Sequence, residues 1–420
     1  MTTTLERTEA TTDDLSRDAK LTLPARELMS MLKKVKVPGR QPAPHLALTA
    51  LEFQESGFLK AETFDYYTGL CVTRGELADG PTTRRLVQGE FIISTLTTIA
   101  RGAEKDLEVT LSWTWIEEDR QSRLTMIADG FEIGVPSVLA NDSHETVFND
   151  LLKQPVQPRG PRHQINLDVQ AFKNVIDQVM HAISKDEALP VLTCVLVEFS
   201  NDRITTCATD RYRVARAWVP TRCDFKGKVL IRLSDWKRIR PLLDKPGDMK
   251  FTVVSEWERL GNFQQITMRG ERFAVSAMGV EGEYPMLGSL LQREGEAHTV
   301  VSAASMLRAA EVIGSTLARN IPLQLTSTKD RMALQITGTL DGENATAKSP
   351  LIPSDGSEEI RTAFNPTFYG AALKAIHGDK VRISTTENGK PVRLTSAVEP
   401  LDQVVLEQLI MPVRMPVNDQ

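Results

Sequence analysis

The sequence predicts an α+β fold made of three tandem copies of one module, each with two helices and antiparallel strands. One observation is a repeated local order: an amphipathic helix, a proline about twenty residues later, a strand-rich stretch and a second helix. Another is the period of about 130 to 145 residues, which lets each copy bury its own core. These features recur at Pro24, Pro44 and Glu90, at Asp168, Pro190 and Ser234, and at Ser302, Pro322 and Asn365.

The boundaries between copies are expected at two linker-like segments. Residues 153–164 hold Pro155, Pro158, Gly160 and Pro161, and residues 293–298 form the second candidate. The chain begins with residues rich in threonine and acidic groups and without an apolar signal core, which predicts a disordered extension. The predicted organisation is an extension over 1–20 and domains over 21–158, 159–296 and 297–420.

Each expected helix has one apolar face. The apolar residues are Leu28, Met31, Leu32 and Val35 in the first helix of the first copy, and Phe172, Val175, Ile176, Val179 and Ile183 in its counterpart in the second. Asn365, followed by Pro366, is expected to cap its helix, and Ser234 is expected to do the same. Pro241 is expected to kink or end the helix that follows Ser234.

Runs of β character lie between the helices. They cover residues 191–199, 203–208 and 381–384, and turn pairs such as Asn201-Asp202 and Asn388-Gly389 separate them. Short strands joined by tight turns are typical of antiparallel hairpins, so each copy is expected to be α+β.

Composition excludes several classes of protein. The longest apolar runs, such as 91–100, are well below the roughly 18 residues that a membrane helix needs, so we predict no membrane span and a cytoplasmic protein. The four cysteines, Cys71, Cys194, Cys207 and Cys223, lack metal-site spacing; reduced core residues are favoured over zinc ligands. Phosphate-loop, nucleophile-elbow and zinc-protease motifs are absent from the sequence, so we predict no metal, no cofactor and no catalytic residues.

The charge is unevenly distributed. Across the six expected helices (24–38, 90–105, 168–185, 233–245, 302–319 and 365–377) there are 15 Lys and Arg against 8 Asp and Glu, a net charge of +7. The whole chain carries −5, so the remainder carries −12. Basic helices on an acidic body suit a protein that contacts a polyanion on one surface. Charge alone favours the alternative that these are ordinary solvated helix faces.

Two separate segments resemble one protein family. The first is Ala188-Leu189-Pro190-Val191-Leu192 with Ala208-Thr209-Asp210-Arg211-Tyr212-Arg213-Val214-Ala215, which resembles the middle domain of the bacterial DNA polymerase III β sliding clamp. The second is Phe364-Asn365-Pro366 with Leu409-Ile410-Met411-Pro412-Val413-Arg414, which resembles the last helix and closing segment of the clamp. Glu283-Tyr284-Pro285 stands where the family has an aromatic-proline pair. Arg211-Tyr212 replaces the family's Gly-His pair, so the chain is identified as a divergent member.

The resemblance implies a ring-forming homodimer that encircles duplex DNA without reading its sequence. In such a ring, helices line the hole and antiparallel sheets lie outside. The implied partners are duplex DNA, a replicative DNA polymerase, an ATP-driven clamp loader and other proteins with short clamp-binding peptides. The function implied is a non-catalytic processivity factor, in which topological closure retains the ring and weak phosphate contacts permit sliding.

The resemblance also implies three sets of site residues. The peptide pocket would be Leu192, Thr209, Arg211, Tyr212, Arg213, Val214, Pro285, Leu290, Leu409, Met411, Pro412, Val413 and Arg414. The DNA-facing set would be Lys33, Lys34, Lys36, Arg40, Arg101, Lys173, Lys185, Lys237, Arg238, Arg240, Arg308 and Lys374. The dimer interface would include Val312 and Ile313.

Three alternatives stay open at this level. The apolar pocket residues are also typical of simple strand core, with Met411 to Arg414 as a frayed end. An enzyme on a duplicated scaffold would use Asp210 and His181 as acid and base, although an Asp after a strand more often caps a turn. A clamp-like adaptor would bind replication proteins without encircling DNA.

Overall fold

The computed structural model describes residues 18–37, 48–54, 57–65, 67–75, 77, 83–102, 106–116, 121–136, 162–254, 265–291, 297–318, 321–330, 332–340, 346–356, 359–385, 390–397 and 405–413. They form two compact units. The first lies within residues 1–166, 234–258 and 265–278, and the second within 167–233, 259–264 and 279–420. Most of the predicted extension and of both linkers lies outside the described residues, and the domain boundaries stay a prediction.

The described elements repeat one order three times. The first copy is β1 (Ala19–Pro24), α1 (Ala25–Val35), β2 (Thr49–Gln54), β3 (Phe58–Phe64), β4 (Thr68–Arg74), β5 (Thr83–Val87), α2 (Gly89–Ala100), β6 (Glu108–Ile116), β7 (Gln121–Ala128) and β8 (Phe131–Gly134). The second is β9 (Arg162–Asp168), α3 (Val169–Asp177), β10 (Cys194–Phe199), β11 (Arg203–Thr209), β12 (Arg213–Pro220), β13 (Gly227–Arg232), α4 (Leu233–Ile239), β14 (Asp248–Val254), β15 (Gln265–Arg269) and β16 (Phe273–Met278). A four-residue helix, α5 (Gly288–Leu291), follows.

The third copy adds one strand to this order. It is β17 (Ala297–Ser302), α6 (Ala303–Thr316), β18 (Leu323–Ser327), β19 (Ala333–Thr339), β20 (Thr346–Lys348), β21 (Ile352–Gly356), β22 (Arg361–Phe364), α7 (Pro366–Ala375), β23 (Lys380–Thr385), β24 (Val392–Ser396) and β25 (Val405–Ile410). The predicted α+β class and the three copies are confirmed.

Strand pairing repeats as closely as element order does. In the first copy β3 pairs with β2 and β4, and β2 also pairs with β5. In the second copy β11 pairs with β10 and β12, and β10 pairs with β13. In the third copy β19 pairs with β18 and with both β20 and β21, and β18 pairs with β22. All these pairs are antiparallel, so the three copies share one topology.

The strands assemble into three sheets of the described chain. One has the order β1-β6-β7-β8, and one has the order β5-β2-β3-β4-β16-β15-β14-β9. The third runs β13-β10-β11-β12-β25-β24-β23-β17-β21-β19-β18-β22, with β20 on β19. Two sheets therefore contain strands of different copies, joined by the β4–β16 pair in the first unit and the β12–β25 pair in the second.

The helix predictions are confirmed at most positions. The side chains of Asp168, Ser302 and Asn365 each accept a hydrogen bond from a backbone N–H of the helix that they precede. The predicted apolar face of α1 is buried, as are Phe172, Val175 and Ile176 of α3. Val179 and Ile183, predicted on the same helix, are buried beyond its end at Asp177. The α4 helix ends at Ile239 and turns into a 3₁₀ segment containing Pro241, as a proline without a backbone N–H requires. Ser234 is not a cap, because α4 already begins at Leu233.

Each helix of the described chain is shorter than a membrane span requires or too polar for one.

The structure contradicts half of the predicted dimer pair. Ile313 is 3% exposed and belongs to the core of the third copy, packed with residues such as Met306, Leu325 and Phe364. Ile313 also packs closely against β19, because a β-carbon added at Gly338 would lie 3.2 Å from the Cγ2 atom of Ile313. Val312, one position earlier on α6, is 56% exposed. The helix turns neighbouring residues by about 100°, so only one of the two can face a partner.

Lysine substitutions at these neighbouring positions are expected to separate core from surface. Ile313→Lys places a charge in an apolar core and should lower the free energy of unfolding by about 3 kcal/mol or more. Val312→Lys changes a side chain that is exposed in the single chain, so it should shift the free energy of unfolding of the monomer by no more than about 0.5 kcal/mol. Urea unfolding followed by circular dichroism measures both, and equal midpoints for the two variants would contradict this assignment of the α6 faces.

Candidate functional site

The pairing of β12 with β25 brings several predicted pocket residues together. Val214 lies directly opposite Leu409, and Thr209 of β11 lies opposite Val214 on its other side. Val214, Leu409 and Leu192 belong to one apolar cluster that also contains Tyr284 and Leu291. Because these side chains are nearly fully buried, they can form the floor of a site but not its accessible wall.

The exposed apolar residues of the predicted pocket lie on the segments that flank this cluster. Tyr212 is 57% exposed, Met411 is 41%, Val413 is 38% and Leu290 is 37%. The backbone N–H of Met411 donates to the carbonyl oxygen of Tyr212 at 2.8 Å, which holds the end of the described chain beside the 209–213 turn. Arg414 lies outside the described residues.

Asp210 organises the 209–213 turn. Its Oδ1 accepts hydrogen bonds from the backbone N–H groups of Tyr212 and Arg213, at 3.1 and 3.0 Å. Its Oδ2 accepts from the Nε of Arg213 at 2.9 Å. Thr209 adds a hydroxyl that accepts from the N–H of Arg211 and donates to the carbonyl of Arg213. The predicted structural role of Asp210 is confirmed, since a short carboxylate after a strand commonly caps a turn.

Phe368 on α7 is a residue that the sequence analysis missed. The guanidinium of Arg213 lies over its ring, 4.4 Å from the centroid, and the ring of Tyr212 stacks on it at 6.1 Å. Arg213 is thereby fixed between Asp210 and Phe368, with a side chain that is 10% exposed. Within the described residues its buried Nη1 has no hydrogen-bond partner. The sequence offered one signal for Phe368: it lies in the first turn of α7, where its N–H donates to the side chain of the capping residue Asn365.

Tyr284 ties the predicted aromatic-proline segment to the same turn. Its hydroxyl accepts a hydrogen bond from the backbone N–H of Thr209 at 3.0 Å. Burial raises the pKa of this hydroxyl, so it stays protonated at any physiological pH. Pro285, the next residue, is exposed beside it.

The residues proposed for acid–base chemistry have other roles. Burial lowers the pKa of His181 to about 4, and its Nδ1 lies 2.9 Å from the carbonyl oxygen of Gln178. Asp210 is held by Arg213, as described above. Burial also raises the pKa of the Cys207 thiol to about 12, which leaves it unreactive. The part of the chain that the structure describes contains no group of three His, Cys, Asp or Glu side chains placed to hold a metal ion.

Basic residues of the first unit gather where α1 approaches the end of α4. A shallow surface depression of about 410 Å³ is lined by Arg26, Met29, Ser30, Lys33, Lys34 and Pro241. Lys33, Lys237 and Arg240 are exposed, and Lys34 makes a 2.8 Å ion pair with Asp244. Arg101 and Lys36 are also exposed, and Lys36 pairs with Glu90. Arg40 lies outside the described residues.

Arg238 does not belong to the predicted DNA-facing set. Its side chain is 7% exposed and forms an ion pair with Asp65. It lies on the buried face of α4 with Trp236 and Ile239. A buried arginine needs such a partner because desolvating an unpaired charge is very costly.

Of the four predicted DNA-facing residues in the second unit, Lys173, Arg308 and Lys374 lie on helices, and Lys185 lies in the loop before β10. Lys185, Arg308 and Lys374 are exposed, and Lys173 is half-buried. Lys374 on α7 makes a 2.7 Å ion pair with Glu311 on α6. Ion pairs between exposed groups contribute little to stability, so these cations can exchange partners.

Comparison with known proteins finds sequence similarity over the segments that build this site. Residues 166–286 match the family model of the DNA polymerase III beta subunit, central domain. Over 390 residues the chain is 26% identical to the beta sliding clamp of Streptomyces coelicolor, covering 90% of this chain and 94% of that protein. The chain is therefore similar to β sliding clamps along nearly its whole length.

Solved clamp structures share its fold. The C. crescentus beta sliding clamp superposes with a TM-score of 0.77 at 17% identity, covering 95% of this chain and 100% of that one. The clamp of Pseudomonas aeruginosa bound to griselimycin gives a TM-score of 0.74 at 17% identity, covering 94% and 99%.

Arg211 departs from the clamp pattern at a position with a special backbone. It has a φ of 77°, in the left-handed region where a β-carbon is strained. The resemblance places a glycine here, and glycine adopts this conformation without that strain. Arg211 also makes a 3.2 Å ion pair with Asp186, between two exposed side chains.

Arg211→Gly is therefore expected to relieve backbone strain. It should be more stable than Arg211→Ala by about 1 kcal/mol, because both remove the ion pair and only glycine tolerates the left-handed φ. Urea unfolding of the two variants measures the difference. Equal stabilities would mean that the turn relaxes to another conformation when Arg211 is replaced.

Proposed function

We propose that this chain is a DNA sliding clamp that acts as a homodimeric ring. Two copies, head to tail, would place six modules around duplex DNA, with domain boundaries near residues 158 and 296. The ring would tether the replicative DNA polymerase and other proteins through the peptide pocket, and a separate clamp loader would open it. The role is binding and retention, without chemistry of its own.

The observation that carries this proposal is the pair of strand edges left by the repeated topology. The last strand of the second copy, β16, pairs with β4 of the first, and the last strand of the third, β25, pairs with β12 of the second. By the same rule β8, the last strand of the first copy, needs the equivalent of β4 and β12. In the third copy β20 and β21 share that position beside β19, and β21 also pairs with β17. No second partner of β8 or β20 is found in the described sheets.

A second copy can satisfy both edges. Pairing β8 of one copy with β20 of the next would continue the rule that joins the copies within the chain, and exposed edges of this kind favour such pairing. A head-to-tail contact of this type closes into a ring when the rotation per copy fits.

Exposed apolar groups lie at these edges. Phe131, the first residue of β8, is 56% exposed, and α6, which carries the exposed Val312, lies against β20. These groups would add apolar area to the backbone pairing.

The basic helices support a weak and sequence-independent contact with DNA. Several predicted DNA-facing cations are exposed, and Lys34, Lys36 and Lys374 each form an ion pair with a carboxylate. Partly compensated cations attract phosphates without fixing the protein at one place, which suits sliding. Retention would then come from ring closure.

The pocket supports the tethering role. Exposed Tyr212, Met411 and Val413 next to a buried apolar floor suit leucine- or phenylalanine-type anchors of a short peptide. The P. aeruginosa clamp bound to griselimycin shows that a structural relative binds a ligand.

Ring closure predicts topological retention on DNA. To test retention, dilute protein would be concentrated with nicked circular plasmid and passed through gel filtration in high salt. To test the oligomeric state, light scattering would give the mass of the protein without DNA, which should be twice the 46.7 kDa of one chain. Protein should stay with the circle and be released when the plasmid is linearised. Phe131→Lys should give monomers that are not retained, because a charge would be desolvated at the edge.

Phe131→Leu is the matched control, which keeps an apolar side chain and should behave as wild type. A dimer that is not retained on circles would favour the adaptor that binds replication proteins without encircling DNA. A dimer of Phe131→Lys that is retained would show that closure uses another surface.

Truncation tests the pocket. Removing residues 411–420 deletes Met411 and Val413, whose N–H groups donate to the carbonyl oxygens of Tyr212 and Ala363. This variant should lose at least about tenfold in affinity for a fluorescent peptide with leucine and phenylalanine anchors, the effect of removing hot-spot contacts. Removing only residues 415–420 should leave the anisotropy titration unchanged. Wild-type affinity after the longer truncation would place the pocket elsewhere.

A further inference from the structure

Three segments of the second unit meet around the apolar pocket floor. Arg211 of the 209–213 turn forms an ion pair with Asp186 of the 184–191 loop, at 3.2 Å. The same loop contacts the 280–291 segment. Val191 of the loop lies so close to Gly282 that a β-carbon added there would be 2.5 Å from Cγ1 of Val191. Tyr284 of that segment binds the N–H of Thr209 in the turn. Charges on these segments therefore border one site.

These segments carry an excess of carboxylates. Together with residues 409–413 they contain five acidic residues (Asp186, Glu187, Asp210, Glu281 and Glu283) and three basic ones (Lys185, Arg211 and Arg213). Arg213 pairs with Asp210, and Arg211 pairs with Asp186. Among the described residues, no ion pair is found for Glu187, Glu281 or Glu283, and all three are exposed. We name these three residues the acidic rim. Among the described residues of these segments, Lys185 is the remaining basic one; Arg414, which the resemblance assigns to the pocket, lies outside the described residues.

Exposed apolar residues alternate with the acidic rim. Leu189, two residues after Glu187, is 37% exposed, and Met286, three residues after Glu283, is 95% exposed. Leu290 and Tyr212 add further exposed apolar surface, at 37% and 57%. A surface of this kind is complementary to a segment that carries both apolar and cationic side chains.

We propose that the pocket selects partner segments in which lysine or arginine flanks the apolar anchors. The anchors would cover the pocket floor, and the cations would lie over the acidic rim. This inference rests on the proposed function, because it adds a charge preference to the same peptide site. Complementary charge at a rim sets specificity and association rate more than total affinity.

Arg211 limits the strength of this preference in the wild-type chain. Its guanidinium neutralises Asp186 at the edge of the rim. Removing the Arg211 charge would expose one more carboxylate to the partner. Removing rim carboxylates has the opposite effect, so the two changes give a test in both directions.

Three fluorescent peptides with the same leucine and phenylalanine anchors test the proposal. They differ only in two flanking residues, which are lysines, serines or glutamates, and anisotropy titrations give the affinities at low and high salt. At low salt the lysine peptide should bind about three- to tenfold more tightly than the glutamate peptide, the effect of one or two exposed ion pairs. The difference should disappear in about 1 M salt, where such pairs are screened.

Three variants of the full chain assign the effect to the acidic rim. Glu281→Gln with Glu283→Gln should reduce the lysine preference, measured as the ratio of the affinities for the lysine and glutamate peptides, at least twofold. Glu271→Gln with Glu359→Gln removes two exposed carboxylates elsewhere and should leave the preference unchanged. Arg211→Gln should increase the preference.

Binding of all three peptides with equal affinity would overturn the charge preference and leave the proposed function intact. A lysine preference that survives in the Glu281→Gln, Glu283→Gln variant would overturn the assignment to the acidic rim. If no peptide binds, the pocket itself is wrong, and this inference falls with it.

Discussion

The pairing of β12 with β25 is the interaction on which the candidate site depends. Arg213 lies opposite Ile410 and Val214 opposite Leu409, so the 209–213 turn and the segment after Ile410 meet at one end of this strand pair. Residues about 200 positions apart in sequence become neighbours through backbone hydrogen bonds. Side chains reinforce the pair, because Glu407 lies opposite Arg216 and pairs with it, and Arg393 of β24 approaches the same carboxylate at 3.5 Å.

A comparable strand pair, β4 with β16, joins two copies in the first unit. Because the same kind of pair occurs twice, the topology indicates how two chains could pair with each other. Within the chain, the last strand of the second and of the third copy pairs with a strand of the preceding copy. By that rule β8 and β20 are the edges left without a partner from another copy, and unpaired backbone groups on exposed edges are a recurrent cause of association between chains. The proposed ring therefore follows from the same constraint that joins the copies.

The turn at 209–213 is rigid for identifiable reasons. Asp210 satisfies two backbone N–H groups and one guanidinium, while Phe368 covers Arg213 and Tyr212 from α7. This support holds Arg211 in a left-handed conformation that would otherwise relax. Pre-organised side chains lose less entropy on binding, which favours recognition of a peptide at this position. As a consequence, most of the Arg213 guanidinium already contacts Asp210 and Phe368, and mainly its buried Nη1 is left to bind a partner.

The sequence by itself determined the repeated order, the starts of the helices at Asp168, Ser302 and Asn365, the apolar faces of α1 and α3, and the turn role of Asp210. These features depend on residues a few positions apart, so local propensity and capping decide them. Tertiary structure alone decided that Arg238 and Ile313 are buried and that Phe368 covers Arg213. Those outcomes depend on which face of a helix meets a distant strand or helix, and no short-range pattern encodes that choice.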